Sequence, residues 1–379
     1  MRGSGPRNET EVGSTYVFPA VKGIQAGREF FVAMCPMKLV PKIFSFDDGD
    51  IPSALRAQRV LNKARIPEIA RYIVSNPHEF VFSSITASID RRVRFVPTDG
   101  VRGPSQTGQL HIPMAARILI NDGQHRRAAI EEALRERPTL GEEALSVVFF
   151  QDAGLKRSQQ MFADLNKHAV RPTRSLGIFY DHKDPFSALA RHLVDQVPLF
   201  HNLTEFEKTS ISNRSPKLFT LSTIYQATKA LLGGETRKTP PTDQEVDLAS
   251  EFWNELPRHI PEWQRAINGG INFADLRRDY VHAHGIAVHA LGRAGASLVK
   301  RYPQKWKHQL SKLDCLDWRR SNGKVWEGRA LMGGRASKAA MNLTLTTSAL
   351  KSILELPLDA AEERAEMAFR QGRGTGSVT

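Results

Sequence analysis

Residues 116–134 carry the local pattern that admits the fewest foldings. The run Ala116-Arg117-Ile118-Leu119-Ile120 is short, apolar and rich in β-branched residues, as a buried strand requires. After Asn121-Asp122-Gly123-Gln124-His125-Arg126-Arg127, the apolar positions Ala128, Ala129, Ile130, Ala133 and Leu134 fall at helical spacing. Arg127 with Glu131, and Glu131 with Arg135, form i,i+4 pairs on the opposite face. Asp122-Gly123 is therefore expected to be a tight strand-to-helix turn, with Asp122 capping the helix and Gly123 letting a ligand approach the backbone. A helix N-terminus presents N–H groups and positive dipole, which suits a phosphate. Gly123, Gln124, His125 and Arg126 crowd donors at that mouth.

The chain has 379 residues, more than one ordinary core, so two domains are expected. Its net charge of +13 and pI near 9.9 favour a polyanionic partner, nucleic acid before an anionic membrane surface. The competing reading is a basic protein with no such partner. Two cysteines, Cys35 and Cys315, supply neither a disulfide framework nor zinc spacing, and each is expected to be a packed, reduced thiol. The start, Met1 to Pro6, lacks the apolar segment of a secretory signal, and no run approaches the ~20 apolar residues of a membrane helix. A cytoplasmic protein is expected, with no membrane partner.

Taken in order, residues 1–15 read as a flexible arm, and residues 16–175 as an α+β domain with a mixed sheet. Glu29–Met34 reads as a strand, Leu39–Phe44 as extended chain, and Ile66–Val74 as a helix with Pro67 in its first turn. Gln58, Arg59, Asn62 and Arg65 precede that helix, either as a solvated entry or as a set reaching one phosphate. Phe80–Ile89 reads as a strand paired with Arg91–Val96 across Asp90, Pro97–Gln109 as a loop, Leu145–Phe150 as a strand and Ser158–Asn166 as a helix. Beyond it the chain reads as helical over 176–232, as a Gly/Pro-rich linker over 233–244, as a basic helical region over 245–369 and as a disordered tail over 370–379.

Residues 300–340 hold eleven Lys and Arg against Asp314, Asp317 and Glu327, with Trp306, Trp318 and Trp326 among them. Basic residues interleaved with aromatics suit a nucleic-acid surface; the alternative is a small Trp-packed core with charges facing water. Arg319, Arg320, Lys324, Arg329, Arg335 and Lys338 are the candidate DNA contacts. Ser210–Leu231 admits a helix-turn-helix with Asn213–Pro216 as its turn. GxGxxG and Walker loops are absent. His282, His284 and His289 do not share one helix face, so no metal site is expected there, and Asp181-His182-Asp184 reads as a solvated turn. At the 122–126 turn, His125 is the candidate general base and Asp122 the candidate support for a metal ion.

Asp122-Gly123-Gln124-His125-Arg126 contains the signature of the DGQHR-domain family, and Gln159–Ala169 is similar to that family's second characteristic segment. Gly23–Glu29, Gln58–Ala70 and Trp326-Glu327-Gly328-Arg329 resemble its DndB branch, with the likeness running over about residues 16–360. The resemblance implies a bacterial DNA-binding transcriptional regulator of a DNA phosphorothioate (sulfur) modification gene cluster, distinct from the sulfur-transfer enzyme. It also implies a ParB/sulfiredoxin-like N-terminal domain in which the 122–126 turn binds nucleotide phosphates, with Asn166 and Arg171 nearby. Sulfiredoxin-like members carry cysteine where this chain has Gln124, which argues against thiol chemistry. Two further expectations stand beside the regulator: a ParB/sulfiredoxin-type nucleoside triphosphatase using a nucleoside triphosphate with Mg, and a scaffold for other phosphorothioation proteins. Double-stranded promoter DNA is the expected partner, and homo-oligomerisation is compatible with either activity.

Overall fold

The computed structural model describes residues 14–44, 63–98, 106–153, 157–167, 172–212, 214–234, 236–237 and 239–375. The chain divides into two compact units, residues 1–170 and 171–379. The first is built on a seven-stranded mixed sheet and the second is mostly helical, so the α+β expectation holds at that level.

In the first unit the strands are β1 (Thr15–Gln25), β2 (Arg28–Pro36), β3 (Ile85–Ile89), β4 (Arg94–Pro97), β5 (Thr107–Pro113), β6 (Ile118–Asp122) and β7 (Ala144–Gln151). Their order across the sheet is β4-β5-β1-β2-β7-β3-β6. All neighbours pair antiparallel except β3 and β7, which run parallel. In β7, Leu145, Val147 and Phe149 alternate inward, the period-2 signature of a sheet with one face on a core. The helices are α1 (Val40–Ile43), α2 (Ile66–Ser75), α3 (Gln124–Glu136) and α4 (Ser158–Lys167). Ile73 of α2 and Ala129, Ile130 and Ala133 of α3 join Phe18, Phe31, Ile85 and Phe149 in one core.

Three local expectations change. Leu39–Phe44 is not extended: Val40–Ile43 forms a helical turn, with Pro41 where a missing N–H costs nothing. Residues 80–96 are not a hairpin. The strand is confined to Ile85–Ile89, nearly all of it buried, and takes an interior place between β6 and β7. Arg94–Pro97, mostly exposed and ending in proline, goes instead to the far edge against β5. The expected loop over 97–109 also gives up Thr107–Gln109 to β5.

The second unit contains α5 (Arg174–Tyr180), α6 (Pro185–Gln196), α7 (Leu221–Leu231), α8 (Asp243–Glu255), α9 (Pro261–Ile267), α10 (Phe273–Asp279), α11 (Gly285–Arg301), α12 (Trp306–Leu310), α13 (Gly323–Trp326), α14 (Ala340–Ile353) and α15 (Ala360–Thr375). Two short strand pairs, β8 (Thr204–Glu205) with β9 (Phe219–Thr220) and β10 (Leu331–Met332) with β11 (Arg335–Ala336), interrupt them. Helix starts follow the sequence rules: Asp184 accepts from the amides of Phe186 and Ser187, and Thr242 with Glu245 forms a capping box. α11 is the central helix. Gly292 lets it approach the α7 backbone, where a Cβ would stand 2.1 Å from the Ala227 carbonyl oxygen. α7 and α8, on either side of the Gly/Pro-rich 233–241 stretch, bury Leu231, Phe252 and Trp253 in the same core. α15 carries helix from Arg370 on to Thr375.

The helix-turn-helix expectation fails. The described residues between Glu205 and Phe219 contain no helix, and α7 buries Leu221, Ile224, Ala227 and Leu231 in the core instead of presenting a reading face. Cys35 is buried, and burial pushes its thiol up to about 12, which makes it inert. Cys315 is exposed, not packed as expected. No helix among the described residues is long and apolar enough to cross a membrane.

Candidate functional site

The turn forms as the sequence requires, except for its cap. β6 ends at Asp122 on the edge of the sheet, and α3 begins at Gln124. Gly123 between them has φ +107°, a left-handed conformation that strains any side-chain-bearing residue. A Cβ there would also stand 2.8 Å from Ile85 Cγ1. No side chain caps the helix, so Asp122 does not do what its position suggests. Its carboxylate instead pairs with the Arg126 guanidinium one turn along α3. Arg126 also donates to the Ser83 carbonyl at 3.1 Å and to the Ser83 hydroxyl, which ties the helix start to the segment before β3. Only 15% of the Arg126 side chain is exposed against 46% for Asp122, so a ligand meets the carboxylate edge before the guanidinium.

His125 lies at the same mouth. Burial, and then the positive charge of Arg65 at the head of α2, hold its imidazole below the usual histidine range, while Asp122 pulls the other way. At neutral pH the ring is thus uncharged, able to accept a proton or a hydrogen bond. The structure brings Arg65, Asp122, Gly123, His125 and Arg126 into one neighbourhood. Gln124 turns back toward the Ile120 carbonyl at 3.5 Å, at the limit of a hydrogen bond. Arg59 and Arg171, with Gln58 and Asn62, lie outside the described residues, and of Asn166 only the backbone, near the end of α4, is described.

Two residues of the organising stretch hold this site together in ways the sequence did not show. Asn121 is buried; its amide donates to Ser88 Oγ at 2.7 Å and its carbonyl accepts from Ser158 Oγ at 2.6 Å, fastening the start of α4 to β6. The available signal was an amide ending an otherwise apolar run. Arg127, expected on the solvent face, is buried. It keeps its pair with Glu131 at 2.6 Å, and also donates to the carbonyls of Phe44 and Pro41 at 3.0 Å, locking α3 to α1 and the residue that follows it. Among the described residues no group of three His, Cys, Asp or Glu is placed to hold a metal ion, so a divalent ion here would depend on Asp122 and the ligand's own oxygens.

A family model described as DndB, DNA-sulfur modification-associated, matches residues 18–357, across both units and through the whole turn. The chain belongs to the DndB family. Comparison with curated proteins and with solved structures gave no match.

DndB-family membership covers the basic block as well, and there the structure separates residues that look alike in sequence. Trp306, Trp318 and Trp326 are buried, and the last two stack at 5.2 Å between centroids. They pack the core of the helical unit, so the reading in which they stack on bases falls. Arg329 is nearly enclosed, paired with buried Glu366, donating to the Leu345 carbonyl at 3.0 Å and lying 4.5 Å from the Phe369 ring centroid. Arg320 donates to the carbonyls of Arg277, Arg278 and Gly334. Arg319, Lys324, Arg335 and Lys338 are exposed.

Proposed function

We propose that this DndB-family chain is a DNA-binding transcriptional regulator of a bacterial DNA phosphorothioate modification gene cluster, acting in the cytoplasm. In this reading the 122–126 turn is a phosphate or nucleotide site of ParB/sulfiredoxin type. The carrying observation is the family match over residues 18–357, tied to DNA sulfur modification. The net charge of +13 and the exposed Arg319, Lys324, Arg335 and Lys338 support contact with a polyanion. At the turn, Gly123, Gln124 and His125 offer an uncapped helix start, and Arg65 and Arg126 add positive charge. Arg59, Asn166 and Arg171 complete the proposed phosphate set. Double-stranded promoter DNA is the partner, with other phosphorothioation proteins or a second copy of the chain joining the complex. A reporter fused to the promoter of the chain's own modification cluster tests the regulatory role. Supplying the protein should change expression several-fold; unchanged expression would count against regulation.

One observation favours a second reading, a nucleoside triphosphatase acting in DNA modification or defence. His125, held neutral, stands beside the exposed edge of Asp122, and these are the candidate base and Mg support for water attack on a bound triphosphate. Phosphate release by the purified protein and by Arg126→Ala decides it. Equal background rates in both would remove the enzyme.

A further inference from the structure

The helical unit holds a recess that has no part in the 122–126 turn. It lies beside the start of α11 and encloses about 410 Å³, within the range of small-molecule sites. Arg174 of α5, Arg293 of α11 and Lys338 from the chain before α14 bring positive charge to its wall, and Ser222 and Thr223 of α7 bring hydroxyls. An adjoining cavity of about 230 Å³ shares Thr209, Thr223, Gly285, Ile286 and Lys338 with it. No carboxylate lines either cavity among the described residues.

The backbone is arranged to the same end. Gly285 and Ile286 line both cavities and are the first two residues of the 17-residue α11, whose leading amides have no intrahelical acceptor. The N-cap, His284, gives no side-chain cap, because its Nε2 is spent on the Arg277 carbonyl at 2.9 Å. The next two amides, of Ala287 and Val288, turn back to the His284 carbonyl. At Gly285 a Cβ would stand 2.8 Å from Thr223 Oγ1, so this helix start is tight against the hydroxyls of α7. Arg174 is oriented by Gln226, whose side-chain oxygen, in the amide orientation that satisfies both of its atoms, accepts from the guanidinium. Lys338 is exposed and makes no ion pair or hydrogen bond among the described residues.

We propose that this recess is a second anion site, for a phosphorylated small molecule of nucleotide size. The three cations and the leading amides of α11 take the phosphoryl oxygens. Ile286 and Leu343 give the remainder an apolar wall. This inference stands independently of how the 122–126 turn is read.

Isothermal titration of the full-length protein with ATP, GTP, CTP, AMP, a cyclic nucleotide and inorganic phosphate tests it. At least one nucleotide should saturate the wild type. Read in an Arg126→Ala background, which removes any contribution of the 122–126 turn, that binding should persist, Lys338→Glu should weaken it at least ten-fold and Lys338→Arg should keep most of it. Lys338 is exposed, so thermal melts of its variants should match the wild type and exclude misfolding. Absence of binding by every nucleotide at millimolar concentration would overturn the site. So would an isotherm lost in Arg126→Ala but kept in Lys338→Glu, and inorganic phosphate binding as tightly as any nucleotide would remove the nucleotide-sized ligand.

Discussion

Gly123 is constrained twice, by a φ of +107° and by the 2.8 Å that a Cβ would leave to Ile85. Gly123→Ala should cost about 1–3 kcal/mol in urea unfolding, the usual price of such strain. An unchanged midpoint would mean the turn is not held as described. This part of the site is legible in sequence because strand, glycine and helix are contiguous. Asp122 was misjudged because its position allows two partners, the helix amides or Arg126, and only the tertiary position of Ser83 shows where the guanidinium is held. His284 supports a second residue-scale prediction. Burial first of all lowers its imidazole to about 4, against the bond to the Arg277 carbonyl, and burial also lowers the fully enclosed His282 despite Glu262 at 3.4 Å. In the unfolded chain both rings protonate near their ordinary value of about 6.5. The unfolded state therefore binds more protons, and the histidine contribution is complete above that pH and declines as pH falls toward 4. Denaturant midpoints should drop between pH 7 and pH 5, less steeply in His284→Asn than in the wild type. Equal slopes would contradict the assignment. Glu245, held down to about 2 chiefly by Arg237, loses its contribution only at lower pH, as pH falls from the ordinary carboxylate range.

Among the elements, the strand-turn-helix of β6 and α3, the α2 helix after Pro67, and the α6 and α7 helices follow from local apolar spacing and could be read directly. What escaped reading depends on distant pairing. β4 leaves its sequence neighbour β3 for β5, because a four-residue exposed strand ending in proline fits an edge and not the interior. The tryptophans among the basic residues 300–340 fit either a core or a nucleic-acid surface in one dimension; only the packing of α11, α13 and α14 decides for the core. The same ambiguity covers the arginines. Arg329→Ala would leave Glu366 buried without its main partner and should destabilise the protein by about 3–5 kcal/mol through the seat of α15. Lys324→Ala and Arg335→Ala, both at exposed positions, should leave the thermal midpoint within about 1 °C and lower DNA affinity instead. Calorimetry paired with DNA titration separates the groups. A stable Arg329→Ala protein with weakened DNA binding would reverse the assignment.

For the molecule as a whole, the charge balance and the family motifs were legible at once, and the match over residues 18–357 agrees with them. Composition reports a sum and not a surface. It registered +13 without showing that Arg320 and Arg329 are used inside the fold while Lys324 and Arg335 face outward. A DNA-binding regulator must turn the remaining charge into affinity for its own promoter beyond the affinity any duplex would give. Fluorescence anisotropy of a labelled promoter fragment and a shuffled fragment, titrated with the full-length protein from about 50 to 200 mM salt, measures both terms. Log affinity should fall linearly with log salt on both fragments, with the promoter bound at least ten-fold more tightly throughout. Equal affinity for the two fragments, or binding of neither, would contradict it.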